Sequence, residues 1–178
     1  MSRASKPTIG GRPVEIERKY LITPPDGETM KRIMTCEGYD VSRIEQMYIT
    51  GEHGEGGRIR RREYKDVCRY YYTLKQEING LSRFETEYEI SKDDYERLSK
   101  LMLEGTRPVR KYRHCFVYER QLFELDVYDF DESFATLEIE LESEDQQVTL
   151  PDFIDVTADV TGDKRFRNFT IAQLGYAF

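Results

Sequence analysis

The feature that most constrains this chain is an alternation of ionic and apolar residues that returns along most of its length. In VEIERKYLI, Glu15, Glu17 and Lys19 share one strand face, while Val14, Ile16 and Tyr20 share the other and Arg18 is the exception. RIRRRE aligns Arg58, Arg60 and Arg62, and RFETEYEI sets Arg83, Glu85, Glu87 and Glu89 opposite Phe84, Thr86, Tyr88 and Ile90. VRKYRHCFVY aligns Lys111 with Arg113, and FELDVY aligns Glu124 with Asp126. TLEIELES aligns Glu138, Glu140 and Glu142 opposite Leu137, Ile139 and Leu141. With residues 41–50 and 69–76 the pattern predicts about eight strands, the spacing of an all-β sandwich or barrel.

Turn chemistry predicts antiparallel hairpins. Asn79-Gly80 divides two strands, Glu119-Arg120-Gln121 links two more, and GEHGEGG, which carries His53, reads as a hairpin loop. That loop has no Gly-Lys-Ser/Thr ending and leads into a strand, so it is not a phosphate-binding P-loop. Helices are expected at 26–36, at 92–104 and around 169–174. The second has Ser91 as N-cap, Gly105 as stop and an apolar stripe of Tyr95, Leu98, Leu101 and Met102. Such helices need an apolar partner, which the strands' apolar faces offer. The ionic faces then look either into water, as in an open sheet, or into the lumen of a closed barrel. A lumen lined by both signs of charge is costly unless its charges are paired or matched to a ligand.

Composition bounds the partners. The chain has 178 residues and a formal charge of −7, with 13 Tyr and 9 Phe. One folded domain is expected over 14–178, preceded by a flexible arm over 1–13. The acidic balance argues against a general nucleic-acid coat. Charge is segregated, however: Arg58 to Lys75 holds seven basic and two acidic residues, and Glu119 to Asp163 holds fifteen acidic residues and only Arg120. Cys36, Cys68 and Cys115 are too few and too scattered for a disulfide framework, and no run approaches ~18 apolar residues. A cytoplasmic protein with no membrane partner is expected.

Lys19, Arg58, Arg60, Lys75, Lys111 and Arg113, with Arg83 as a further candidate, suit a concentrated polyanion such as a triphosphate, because guanidinium groups fork onto phosphate oxygens. Glu15, Glu17, Glu138 and Glu140, with Glu85, Glu87 and Asp126, would repel that ligand without an intervening cation. All-oxygen ligation points to Mg²⁺ or Mn²⁺. Two histidines and no Cys-x-x-Cys argue against zinc, and DVTADVTGDK does not fit a calcium loop.

The ordered set Glu15-x-Glu17-x-Lys19, Arg58-x-Arg60, Thr73-Leu74-Lys75, Arg83-x-Glu85-x-Glu87, Lys111-x-Arg113, Leu125-Asp126-Val127, Leu137-Glu138-Ile139-Glu140-Leu141 and Asp159-Val160-Thr161-Gly162-Asp163 resembles the CYTH superfamily of triphosphate tunnel metalloenzymes, in its bacterial inorganic triphosphatase branch. The resemblance spans roughly residues 14–175. It implies an α+β, mainly β fold: an eight-stranded antiparallel closed barrel with a charged lumen and a few helices outside. It implies hydrolysis of a terminal phosphate with a divalent cation on Glu15, Glu17, Glu138 and Glu140. Lys19, Arg58, Arg60, Lys75, Arg83, Lys111 and Arg113 would bind phosphate, and Glu85, Glu87 and Asp126 would line the tunnel and support metal or water. Asp159 stands where that family commonly has Glu, and Lys164 and Arg165 fall near the expected tunnel mouth. An adenylate cyclase-like enzyme, a thiamine or nucleoside triphosphatase and a non-catalytic binder stay open, as does a homodimer.

Overall fold

The structure, a computed structural model, describes residues 6–50 and 57–174. In chain order the elements are β1 (Thr8–Ile9), β2 (Arg12–Ile22), α1 (Gly27–Thr35), β3 (Glu37–Tyr48), β4 (Gly57–Tyr64), β5 (Val67–Glu77), β6 (Ser82–Ile90), α2 (Lys92–Ser99), β7 (Val109–Tyr118), β8 (Gln121–Tyr128), β9 (Ala135–Leu141), β10 (Val156–Asp159), a 3₁₀ turn (Lys164–Phe166) and α3 (Asn168–Leu174). Strands β2-β6-β5-β4-β3-β7-β8-β9 pair antiparallel in that order, and β9 returns to β2 to close an eight-stranded barrel. The expected GEHGEGG loop, apart from Gly57, and its His53 lie outside the described residues.

The barrel is apolar outside and ionic inside, so its hydrophobic core lies against its outer wall. Ile33 of α1 packs with Ile16, Phe116, Phe123, Leu137 and Ile139, a layer also covered by Leu150, Phe153 and Ile154 from the segment after β9. A second cluster joins Val109, Tyr128 and Phe134 to Phe166 and to Ile171 of α3. A third places Tyr95 of α2 against Ile49, Ile59 and Tyr72. Each helix buries its single apolar stripe on strands whose other face is charged.

Local signals account for most boundaries. The Asp26 side chain caps α1 by accepting from Thr29 N at 2.8 Å, and Ser91 Oγ caps α2 by accepting from Asp94 N at 3.0 Å. The helix expected over 92–104 stops at Ser99. Leu101 O accepts from Thr50 N at 2.9 Å and Leu103 N donates to Tyr48 O at 2.8 Å, so the end of β3 recruits this backbone as a bridge partner. Leu101 and Met102 consequently stay exposed rather than extending the stripe.

One seam of the barrel is built in pieces. β6 pairs with β2 only over Val14–Ile16, after which Leu81 O accepts from Glu17 N at 3.2 Å. From Lys19 onward the chain near β10 takes over: Val160 N donates to Lys19 O at 2.9 Å, and Lys19 N donates to Thr161 Oγ1 at 3.0 Å. The pieces meet at Gly162, in the left-handed region at φ +75°, where a Cβ would stand 2.9 Å from Gly80 O.

Candidate active site in the barrel lumen

The lumen is a cavity of about 1270 Å³. Strand alternation delivers its walls: Glu15, Glu17 and Lys19 from β2, Arg58, Arg60 and Arg62 from β4, Lys75 from β5, and Arg83, Glu85 and Glu87 from β6. Lys111 and Arg113 come from β7, Glu124 from β8, and Glu138 and Glu140 from β9. Asp126, expected as a lining residue, is fully buried behind the wall, where Arg113 Nε and Nη2 each donate to it at 2.7 Å and Lys111 Nζ contacts it. Asp126 thus holds two cations in place. Asp159 accepts from Thr161 N at 2.9 Å in a local turn, and Lys164 and Arg165 stand outside the lining. His114 points to the outer side, with Nδ1 3.2 Å from Tyr39 Oη.

Ion pairs knit the lumen together. Lys75 Nζ lies 2.5 Å from Glu15 and 3.2 Å from Glu85, and Lys19 Nζ lies 2.8 Å from Glu138. Arg113 Nη2 lies 2.7 Å from Glu138 and its Nη1 contacts Glu124, while Arg60 Nη2 lies 2.8 Å from Glu87. Burial alone would raise the Glu138 carboxyl, but Lys19, Arg113 and Lys111 outweigh it and hold the group well below the usual carboxylate range. Glu17 goes the other way: burial, then the neighbouring charges of Glu138 and Glu15, push it up to about 7. Lys111 is brought down to about 8 by burial and by Arg113 beside it. The cations are not all saturated. Arg58 Nε and Arg60 Nε are buried without a hydrogen-bond partner among the described residues.

Glu17 faces Glu140 and Lys19 faces Glu138 across the β2–β9 ladder, with Glu15 further along the same lumenal face. Among the described residues no three acidic, histidine or cysteine side chains converge to ligate one ion, because lysines and arginines stand between them. The donor set still suits a hard divalent cation. All the candidate donors are carboxylate oxygens, and the Glu17 carboxyl, raised by burial first and by Glu138 and Glu15 next, is one that a nearby cation would bring down.

Sequence reasoning passed over several lining residues. Arg62 and Glu124 share the phase of residues that were selected, whereas Gln46 and Tyr48 of β3 enter the lumen without an ionic pattern to mark them. Lys6 comes from a segment with no periodicity at all. The lining also takes in Ile49, Leu103, Phe166 and Phe169, interspersed with Asp163, Arg167, Asn168 and Gln173, and only the folded chain brings these together.

Comparison with known proteins agrees with this geometry. A family model for the CYTH domain matches residues 14–161. The chain is 30% identical over 164 residues to the inorganic triphosphatase of Acetivibrio thermocellus, covering 91% of this chain and 95% of that one. The crystal structure of the inorganic triphosphatase NE1496 superposes with a TM-score of 0.54 at 32% identity, over 89% of this chain and 94% of that one. The PH1819 protein from Pyrococcus horikoshii OT3 shares the fold, with a TM-score of 0.55 at 21% identity over 74% of this chain and 80% of that one. An ordered set of lumenal charges, a closed eight-stranded barrel and the match over residues 14–161 together establish that the chain belongs to the CYTH family.

Proposed function

We propose that this protein is a Mg²⁺- or Mn²⁺-dependent hydrolase that removes the terminal phosphate of inorganic triphosphate inside the barrel. The observation that carries the reading is the convergence of lysine and arginine side chains from five strands on one cavity, among them Arg58 and Arg60, whose Nε atoms have no hydrogen-bond partner among the described residues. A buried donor left unmade is costly, and phosphate oxygens satisfy guanidinium donors in pairs. The likeness to two inorganic triphosphatases supports the same substrate.

Lys19, Arg58, Arg60, Lys75, Arg83, Lys111 and Arg113 neutralise and align the phosphate chain, and Asp126 fixes Lys111 and Arg113 from behind. Glu15, Glu17, Glu138 and Glu140 would hold the divalent cation, which when bound would neutralise charge on the phosphate chain and polarise its phosphoryl group. Glu87, fixed by Arg60 at 2.8 Å and by Thr73 Oγ1 at 2.8 Å, and Glu85 are the lumenal carboxylates that orient water. Water attacks the terminal phosphorus, the bridging P–O bond breaks, and diphosphate leaves.

The partner is thus a small anion. No described helix is long and apolar enough to cross a membrane. Cys36, Cys68 and Cys115 are free thiols, which suits a reducing, cytoplasmic setting. The aromatic side chains of Phe166 and Phe169 in the lining favour a second reading, an organic triphosphate such as ATP or thiamine triphosphate with its organic group against them. Incubation with each of the three substrates, with and without Mg²⁺ or Mn²⁺, tests both. Metal-dependent phosphate release fastest from inorganic triphosphate is expected. Faster release from an organic triphosphate favours the second reading, whereas cyclic AMP formation, or tight binding without turnover, contradicts hydrolysis.

A further inference from the structure

Lys6 precedes the residues that match the family model, yet its ammonium lies in the lumen. The chain reaches it through a tight reversal. Thr8 and Ile9 pair with Pro13 and Arg12, Gly10 and Gly11 turn the chain at φ +57° and +78°, and Pro7 O accepts from Val14 N at 2.8 Å. This hairpin lays the segment along the start of β2 and carries Lys6 Nζ onto Glu85, 3.9 Å from Glu140.

Glu85 has two further cations beside it. Lys75 lies 3.2 Å from that carboxylate and Arg58 lies 3.8 Å away. Of the three cations Lys6 is the most exposed, with 30% of its side chain accessible against 19% for Lys75 and 11% for Arg58. A lysine on a flexible four-carbon stem can therefore leave Glu85 for an incoming anion without stranding a buried charge.

Resting on the triphosphatase reading, we propose that Lys6 is a further substrate ligand: the hairpin delivers its ammonium to the phosphoryl group at the tunnel end bounded by Pro13 and Glu85. The family's ordered motif does not contain this residue, and the hairpin supplies it from outside the barrel.

Calorimetric binding of inorganic triphosphate without metal, together with steady-state kinetics with metal, tests this on the full chain. Lys6→Ala is expected to weaken binding about tenfold, with the kinetic loss falling mainly on KM, and Lys6→Arg to restore most of it. A paired Gly10→Ala, Gly11→Ala variant, whose added Cβ atoms meet nothing within 4 Å, should lose affinity similarly while retaining Lys6, because both glycines hold left-handed backbone. Unchanged or tighter binding by Lys6→Ala, with the wild type binding normally, overturns the role of Lys6 and leaves the triphosphatase reading standing. A wild type that neither binds nor hydrolyses triphosphate overturns both.

Discussion

Lys111 shows what the lumen does to a single side chain. With 2% of its side chain exposed and Arg113 adjacent, its ammonium is held down to about 8, although Asp126 pulls the other way. Below that pH Lys111 is charged and can hold phosphate; above it the charge is lost. Triphosphate affinity should thus fall as pH rises through about 8, by up to about tenfold per pH unit. Lys111→Arg should remove that component, because arginine stays charged. Calorimetry from pH 6.5 to 9.5 reads it, and since substrate ionisation is common to both proteins, an identical fall in the variant would rule Lys111 out as its source. At this scale much of the site was legible, because strand phase alone puts Glu15, Glu17, Lys19, Arg58 and Arg60 on one face. Lys6 was not, since its placement depends on a glycine hairpin rather than on periodicity. Asp126 has the lumenal phase but is covered by the longer side chains of Lys111 and Arg113.

The elements divide in the same way. Six of the eight barrel strands, β2, β4, β6, β7, β8 and β9, follow from ionic alternation, because each has one face toward an apolar layer and one toward a charged lumen, whereas β3 turns Ile44, Gln46 and Tyr48 inward. β1 and β10 escaped notice because two and four residues are too short to display a period. α2 ends short of its apolar spacing, which continues to Met102, because the backbone of Leu101 and Leu103 is claimed by the end of β3. The pieced seam beside Lys19 gives an element-scale prediction. Gly162→Ala adds a Cβ at a left-handed position, 2.9 Å from a backbone oxygen that has no flexible end to move aside. Thermal unfolding should show a loss of about 2 kcal/mol. Turnover should fall too, because Thr161, the preceding residue, receives the Lys19 N–H. A melting temperature equal to wild type would show that the Gly80–Gly162 contact does not tie the seam.

As a whole the molecule reverses the usual placement of charge. Its formal charge of −7 describes the chain but not the lumen, where guanidinium and ammonium groups from β2, β4, β5, β6 and β7 point inward. Carboxylates partner many of these cations, which keeps a charged interior tolerable, while Arg58 Nε and Arg60 Nε have no hydrogen-bond partner among the described residues. A phosphate site and an inert network of ion pairs place different demands on Arg58. Arg58→Ala separates the two, since Glu85 keeps Lys75 and Lys6 when Arg58 is removed. The most direct measurement is kcat/KM for inorganic triphosphate in wild type and Arg58→Ala, alongside their melting temperatures. A fall of at least about a hundredfold with melting within a few degrees of wild type is predicted; an unchanged kcat/KM in a folded variant would contradict the account.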